Sequence, residues 1–144
     1  MIADEKSHIY PIGVVAKMLD ISVPTIRLYE KEGVILIRKT ASGRRVFSEE
    51  DINRLKCLRR MITEEGVNIQ GMKKLLAMLP CWKINTQCRA DDYKQCHAYT
   101  EISGPCWSLP EKPEICKNAD CYTCPVYSAP VDCRRIKEFL HLAD

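Results

Sequence analysis

The chain has 144 residues, a formal net charge of +3, 46% hydrophobic residues and nine cysteines. That length supports one modest core, or a small core with a smaller stapled unit beside it. No apolar run reaches bilayer length, and the start MIADEKSHIYPIG has no basic region followed by a hydrophobic stretch, so a cytoplasmic protein outside the membrane is expected.

Charge and cysteine content change at the same point. Residues 1–80 carry fourteen Lys and Arg against ten Asp and Glu, with one cysteine, Cys57. Residues 81–144 carry eight against nine and hold the other eight cysteines. Two domains are expected, 1–80 and 81–144. The second is short, proline-rich and poor in aliphatic residues, so it needs a metal or cross-links to stand. In the cytosol, clustered cysteines more often bind metal or sense redox state than form structural disulfides.

Along the chain, Ile12, Val15, Ala16 and Leu19 recur at one face of a helix. Asp20 and Ile21 make a tight turn, Ser22 offers a capping hydroxyl, and Pro24 is tolerated in a first turn. The second helix is expected over Val23–Glu30, broken at Gly33. Two short helices across so tight a turn form a helix-turn-helix, with Thr25 and Arg27 free to enter a major groove. Val34–Ile37 and Arg45–Phe47 are β-capable runs around a turn at Lys39–Gly43. They predict a two-stranded wing whose tip carries Arg38, Lys39, Arg44 and Arg45, placed to meet phosphates. Ser48 with Asp51 reads as a capping box for a helix turning Ile52, Leu55, Leu58 and Ile62 inward. After Gly66, Asn68 caps another helix with Met72, Leu75, Leu76 and Leu79 inward, and Pro80 ends it. Cys57 reads as a core-packing thiol. The fold class expected is mainly α with a small β wing.

The stretches IGVVAKMLDISVPTIRLYEKEGVILIRKTASGRRVFSEEDINRLKCLRRM and GVNIQGMKKLLAML resemble the winged-helix domain of the MerR family of bacterial transcription regulators, over residues 9–79. The resemblance implies operator contacts from Arg27, Tyr29, Arg44 and Arg45. It also implies a homodimer on palindromic promoter DNA that acts with RNA polymerase. Leu28 departs from the pattern, since many members have an aromatic there. The long dimerisation helix that the family places next is interrupted by Pro80 and Cys81, so a different dimer seam is expected. A helix over residues 131–142 is the candidate for it.

The tail cysteines are Cys81, Cys88, Cys96, Cys106, Cys116, Cys121, Cys124 and Cys133. Only Cys121 and Cys124 have the two-residue gap found in zinc and iron–sulfur sites alike, and Pro125 follows as in ferredoxin-like runs. The other gaps lack the paired knuckles of structural zinc domains, which favours an iron–sulfur cluster. Zinc is the alternative, as eight thiolates would fill two four-sulfur sites, and redox thiols or disulfides are a third. Trp82, Tyr93, Tyr99, Trp107, Tyr122 and Tyr127 either shield such a centre or form the tail's own core. The two Cys-Trp pairs also resemble a small cysteine-rich module appended to signalling proteins of anaerobic bacteria. The leading reading is a dimeric DNA-binding regulator that senses through its tail. A zinc-stapled adaptor or transcription factor without sensing is the alternative, and a thiol oxidoreductase using Cys121 and Cys124 comes behind it, so no enzyme is expected.

Overall fold

A computed structural model of the chain describes residues 8–79, 81–84, 96–100, 102–109 and 120–128. Strand β1 (His8–Pro11) leads into helix α1 (Ile12–Leu19), which buries Val15, Ala16 and Leu19. Asp20 closes α1 in the left-handed conformation (φ 52°), its amide reaching back to Lys17 and Ala16. An aspartate tolerates that geometry better than most residues, and this explains the short turn. Helix α2 (Val23–Lys31) begins at Ser22, whose hydroxyl accepts from the Thr25 amide at 3.1 Å.

The wing differs from expectation in two ways. Its first strand, β2, is only Arg38–Lys39, and it pairs with β3 (Arg45–Ser48) around a Thr40–Gly43 turn with Gly43 at φ 87°. Val34 and Ile35 lie fully buried outside the sheet, because this apolar run is drawn into the core instead of pairing. A third strand, unforeseen, is β1, antiparallel to β3 with Tyr10 opposite Phe47. Its four residues have no clear alternation, and it forms through the partner strand.

Helix α3 (Glu49–Arg59) opens with the full capping box of Ser48 and Asp51 and continues as a π-helical turn over Arg60–Glu64. Ile52, Leu55 and Leu58 are buried as the periodicity predicts. Helix α4 (Ile69–Ala77) is capped by Asn68, whose side chain accepts from Gly71 at 2.7 Å, and it buries Met72 and Leu76. After it, among the described residues, come three single-turn helices, α5 (Cys81–Ile84), α6 (His97–Thr100) and α7 (Pro125–Ser128), with 3-10 turns at Cys106–Ser108 and Cys121–Thr123. The helix expected over 131–142 lies outside the described residues.

Trp107, Val126 and Tyr127 are buried in the same cluster as Val15, Ile26, Ile35, Phe47 and Leu55. The described tail therefore adds to the core of the first eighty residues, where sequence reasoning had these aromatics shielding a centre or packing among themselves. Cys57 is also corrected. It is half-buried on α3 and disulfide-bonded, not a core thiol. The other described cysteines are Cys81, Cys96, Cys106, Cys121 and Cys124.

If the tail rings complete one shared core, Trp107→Ala should destabilise the α1–α4 helices along with the tail. A loss of roughly 3–5 kcal/mol is expected for a buried tryptophan, read as a lower urea midpoint in far-ultraviolet circular dichroism. An unchanged midpoint would mean that the ring contributes nothing to the reader's core.

Candidate nucleic-acid interface

A capped helix pair followed by an antiparallel wing defines a winged helix-turn-helix. In α2, Ile26 and Tyr29 face inward, while Arg27 and Leu28 face solvent, Leu28 at 41% exposure. Thr25 is half-buried, its hydroxyl 2.7 Å from that of Ser22, so it serves the cap as well as the outer face. Tyr29 is 3% exposed. Burial raises its phenol pKa, an effect the Arg59 charge partly offsets. That placement puts Tyr29 in the core, on the inner face of α2. Arg59 also donates to the Leu19 carbonyl, fastening the end of α1 to α3.

The four wing cations separate into two pairs. Lys39 and Arg44 are exposed at the hairpin. Arg45 instead pairs with Glu30 at 2.9 Å, joining β3 to the last turn of α2. This ion pair links the recognition helix to the wing. Arg38 is drawn off the tip altogether. Its guanidinium pairs with Asp120 of the tail and lies 4.4 Å from the centroid of the Tyr122 ring, leaving the side chain 13% exposed. The expected set of seven DNA contacts thus divides: Arg27, Lys39 and Arg44 face outward, Thr25 is shared, and Tyr29, Arg38 and Arg45 hold the frame. Nothing in the local sequence around Arg38 signals a partner 82 residues away. Glu30, at the end of a helical pattern facing a wing, is the one partner that sequence reasoning had the means to find.

The tail side of the interface is built on tyrosines. The Tyr122 hydroxyl donates to Asp51 Oδ1 at 2.9 Å and lies 3.3 Å from Ser48 Oγ, while Asp51 Oδ2 accepts from the Ser48 amide. One carboxylate thus caps α3 and anchors the tail. Arg54, 4% exposed, sits 3.8 Å from the centroid of Tyr127 and donates to its carbonyl. Burial lowers its pKa, against the raising influence of Tyr127 and Asp51. Burial likewise raises the Tyr122 phenol and pushes Tyr127 up to about 12. Between the halves runs a groove of about 340 Å³ bordered by Glu30, Ile37, Arg38, Trp107, Asp120 and Tyr122.

The expected metal ligands are only partly placed. Cys81, Cys106, Cys121 and Cys124 all lie half-buried against the shared core, and Cys96 is half-buried at the start of α6. Cys88, Cys116 and Cys133 lie outside the described residues. Among the described residues no three His, Cys, Asp or Glu side chains are grouped so that they could hold a metal ion.

The pattern describing a MerR HTH family regulatory protein matches residues 10–79. Residues 10–79 of this chain are a MerR-family helix-turn-helix domain. The regulator GlnR of Bacillus anthracis is 31% identical over 70 residues, 49% of this chain and 54% of that protein. The transcriptional repressor CarH of Myxococcus xanthus is 38% identical over 71 residues, 49% of this chain and 23% of its own. The regulator MlrA of Escherichia coli is 34% identical over 70 residues, 48% and 28% respectively. The chain thus spans about half the length of the GlnR relatives and less of the others, and each of these likenesses is as long as the winged domain. Among the described residues no helix is long and apolar enough to cross a membrane.

The tyrosines make a pH prediction. A phenol whose folded pKa is raised favours folding fully below the unfolded value near 10, and loses that contribution as pH climbs through the folded value. With Tyr127 at about 12, stability should fall between pH 10 and 12 by roughly 2–3 kcal/mol. Tyr127→Phe should flatten that fall in urea titrations at successive pH values. A slope unchanged by the substitution would place the alkaline loss elsewhere.

Proposed function

We propose that this protein is a sequence-specific DNA-binding transcription regulator that reads promoter DNA with α2 and the wing. The observation carrying this reading is the outward set of Arg27 on α2 with Lys39 and Arg44 on the hairpin, in a domain whose relatives are named as transcription regulators. A recognition helix supplies base contacts and flanking cations supply phosphate contacts. The resemblance adds a homodimer on a palindromic site and a partnership with RNA polymerase. The protein acts as a regulator without catalysis, in the cytoplasm.

The tail cysteines supply the sensing element in this reading. An iron–sulfur cluster is the cofactor proposed, with zinc as the alternative. The support is compositional: eight cysteines in sixty-four residues, and the Cys121–Cys124 gap followed by Pro125. Metal and acid-labile sulfide are counted on anaerobically purified protein. Iron and sulfide in matching amounts support the cluster, whereas zinc without sulfide supports the alternative.

DNA binding is tested by titrating the full chain against duplex DNA from upstream of its own gene at increasing salt. Binding should weaken steeply with salt, and Arg44→Ala should reduce the logarithmic slope by about 0.9 if it removes one phosphate contact. Arg27→Ala should instead relax base preference, costing roughly 1–3 kcal/mol at the preferred site. No binding by folded protein at low salt defeats the proposal.

A further inference from the structure

The segment joining α2 to β2 has a role that its own sequence does not reveal. Residues 32–37 take part in no strand pairing, and β2 itself is two residues long. A strand so short gives little independent hold on register. Yet the backbone here is attached to the tail at successive points. The Gly33 carbonyl accepts from Trp107 Nε1 at 2.7 Å. The Leu36 amide donates to the Tyr127 hydroxyl at 2.8 Å, and that hydroxyl donates back to the Leu36 carbonyl at 3.2 Å. Arg38, at the root of the wing, is held by Asp120 and the Tyr122 ring. The approach at Gly33 is close enough that a Cβ there would stand 2.5 Å from Ser108 Cβ, and the residue has φ 79°. From 33 to 38 the wing's base is gripped by side chains from residues 107–127.

We propose that Trp107, Tyr122 and Tyr127 are positioning residues for the wing, so that the tail sets where Arg44 and Lys39 stand relative to the recognition helix. The inference deepens the DNA-binding reading and rests on it for its consequence at DNA, but not for its structural content. It also gives a route from cysteine to DNA. Tyr122 follows Cys121 directly, the Cys124 amide donates to the Cys121 carbonyl at 3.1 Å, and the Tyr127 amide donates to the Cys124 carbonyl at 3.0 Å. A change in the bonding of either sulfur therefore moves the backbone that carries both rings, and the rings move the wing's base.

The test uses the full chain and Tyr127→Phe, which keeps the ring and deletes only the oxygen that spans Leu36. Amide hydrogen exchange of wild type and variant comes first. Leu36 and the β3 amides should exchange about tenfold faster or more in the variant, with α4 amides unaltered, because a local opening is sampled without global unfolding. Operator affinity is then measured for wild type, Tyr127→Phe, Arg44→Ala and the double variant. If Tyr127 holds the wing in place, Arg44→Ala costs several-fold affinity in the wild-type background and less than about twofold in the Tyr127→Phe background, since the two substitutions are not additive. A merely structural role for Tyr127 would leave the Arg44 effect the same in both. Equal Arg44 effects together with unchanged exchange at Leu36 and β3 overturn the proposal. Should Tyr127→Phe fail to fold, Asp120→Asn, which weakens the hold on Arg38 at a part-exposed site, is read by the same two measurements. If wild type binds no DNA, the DNA-binding reading fails while the exchange result still decides whether the tail positions the wing.

Discussion

The guanidinium of Arg54 is the constraint around which the two parts of this chain are arranged. A charge on the inner face of α3 with 4% exposure is costly unless its donors and its charge are met. The first eighty residues offer Asp51 nearby, but the stacking ring and the accepting carbonyl both belong to Tyr127. Arginine stays ionised under almost any condition, so α3 cannot relieve the problem by losing a proton. It needs the tail. Tyr127 in turn edges against Trp107 at 4.9 Å between centroids and tilts toward Tyr122 at 5.8 Å. The three rings thus reach the core, the wing's base and the α3 cap, and one of them, Tyr127, stacks on the buried cation.

Most of the winged domain was legible in the sequence because its signals are local. Ser22, Ser48 and Asn68 cap the helices they precede, and most of each expected stripe is buried, with Ile12, Ile62 and Leu75 only partly so. The interface was only half legible. Arg27 and Arg44 were placed outward by helix phase and turn position, which are short-range properties. Arg38, Arg45 and Tyr29 were not, since an ion pair or burial depends on what the chain brings back from elsewhere. Asp120 and Tyr122 carry no motif, and a tyrosine in a cysteine-rich tail gives no indication of which helix it will cap. Strand β1 escaped for the same reason: its pairing with β3 is non-local.

Cys57 illustrates the limit most sharply. Separation from the other cysteines along the chain argued for a buried thiol, and its neighbours Leu55 and Leu58 are indeed buried. Position 57 sits on the flank between that stripe and solvent, on the same helix where Arg54 receives the tail. A half-exposed sulfur on a helix that the tail folds back upon can meet a second sulfur. Cys57 is disulfide-bonded in this way, although its spacing along the chain pointed to packing alone.

Gly33 and Ser108 bear on how such a protein can evolve. Here the reader's connector carries a glycine shaped to one serine, a carbonyl turned toward one indole and a buried arginine awaiting one tyrosine. A chimera joined at residue 80 would inherit a cavity and an orphaned charge instead of a finished surface. A working graft onto this reader must therefore supply an indole for Gly33, room beside it for a serine, and a ring with a carbonyl for Arg54.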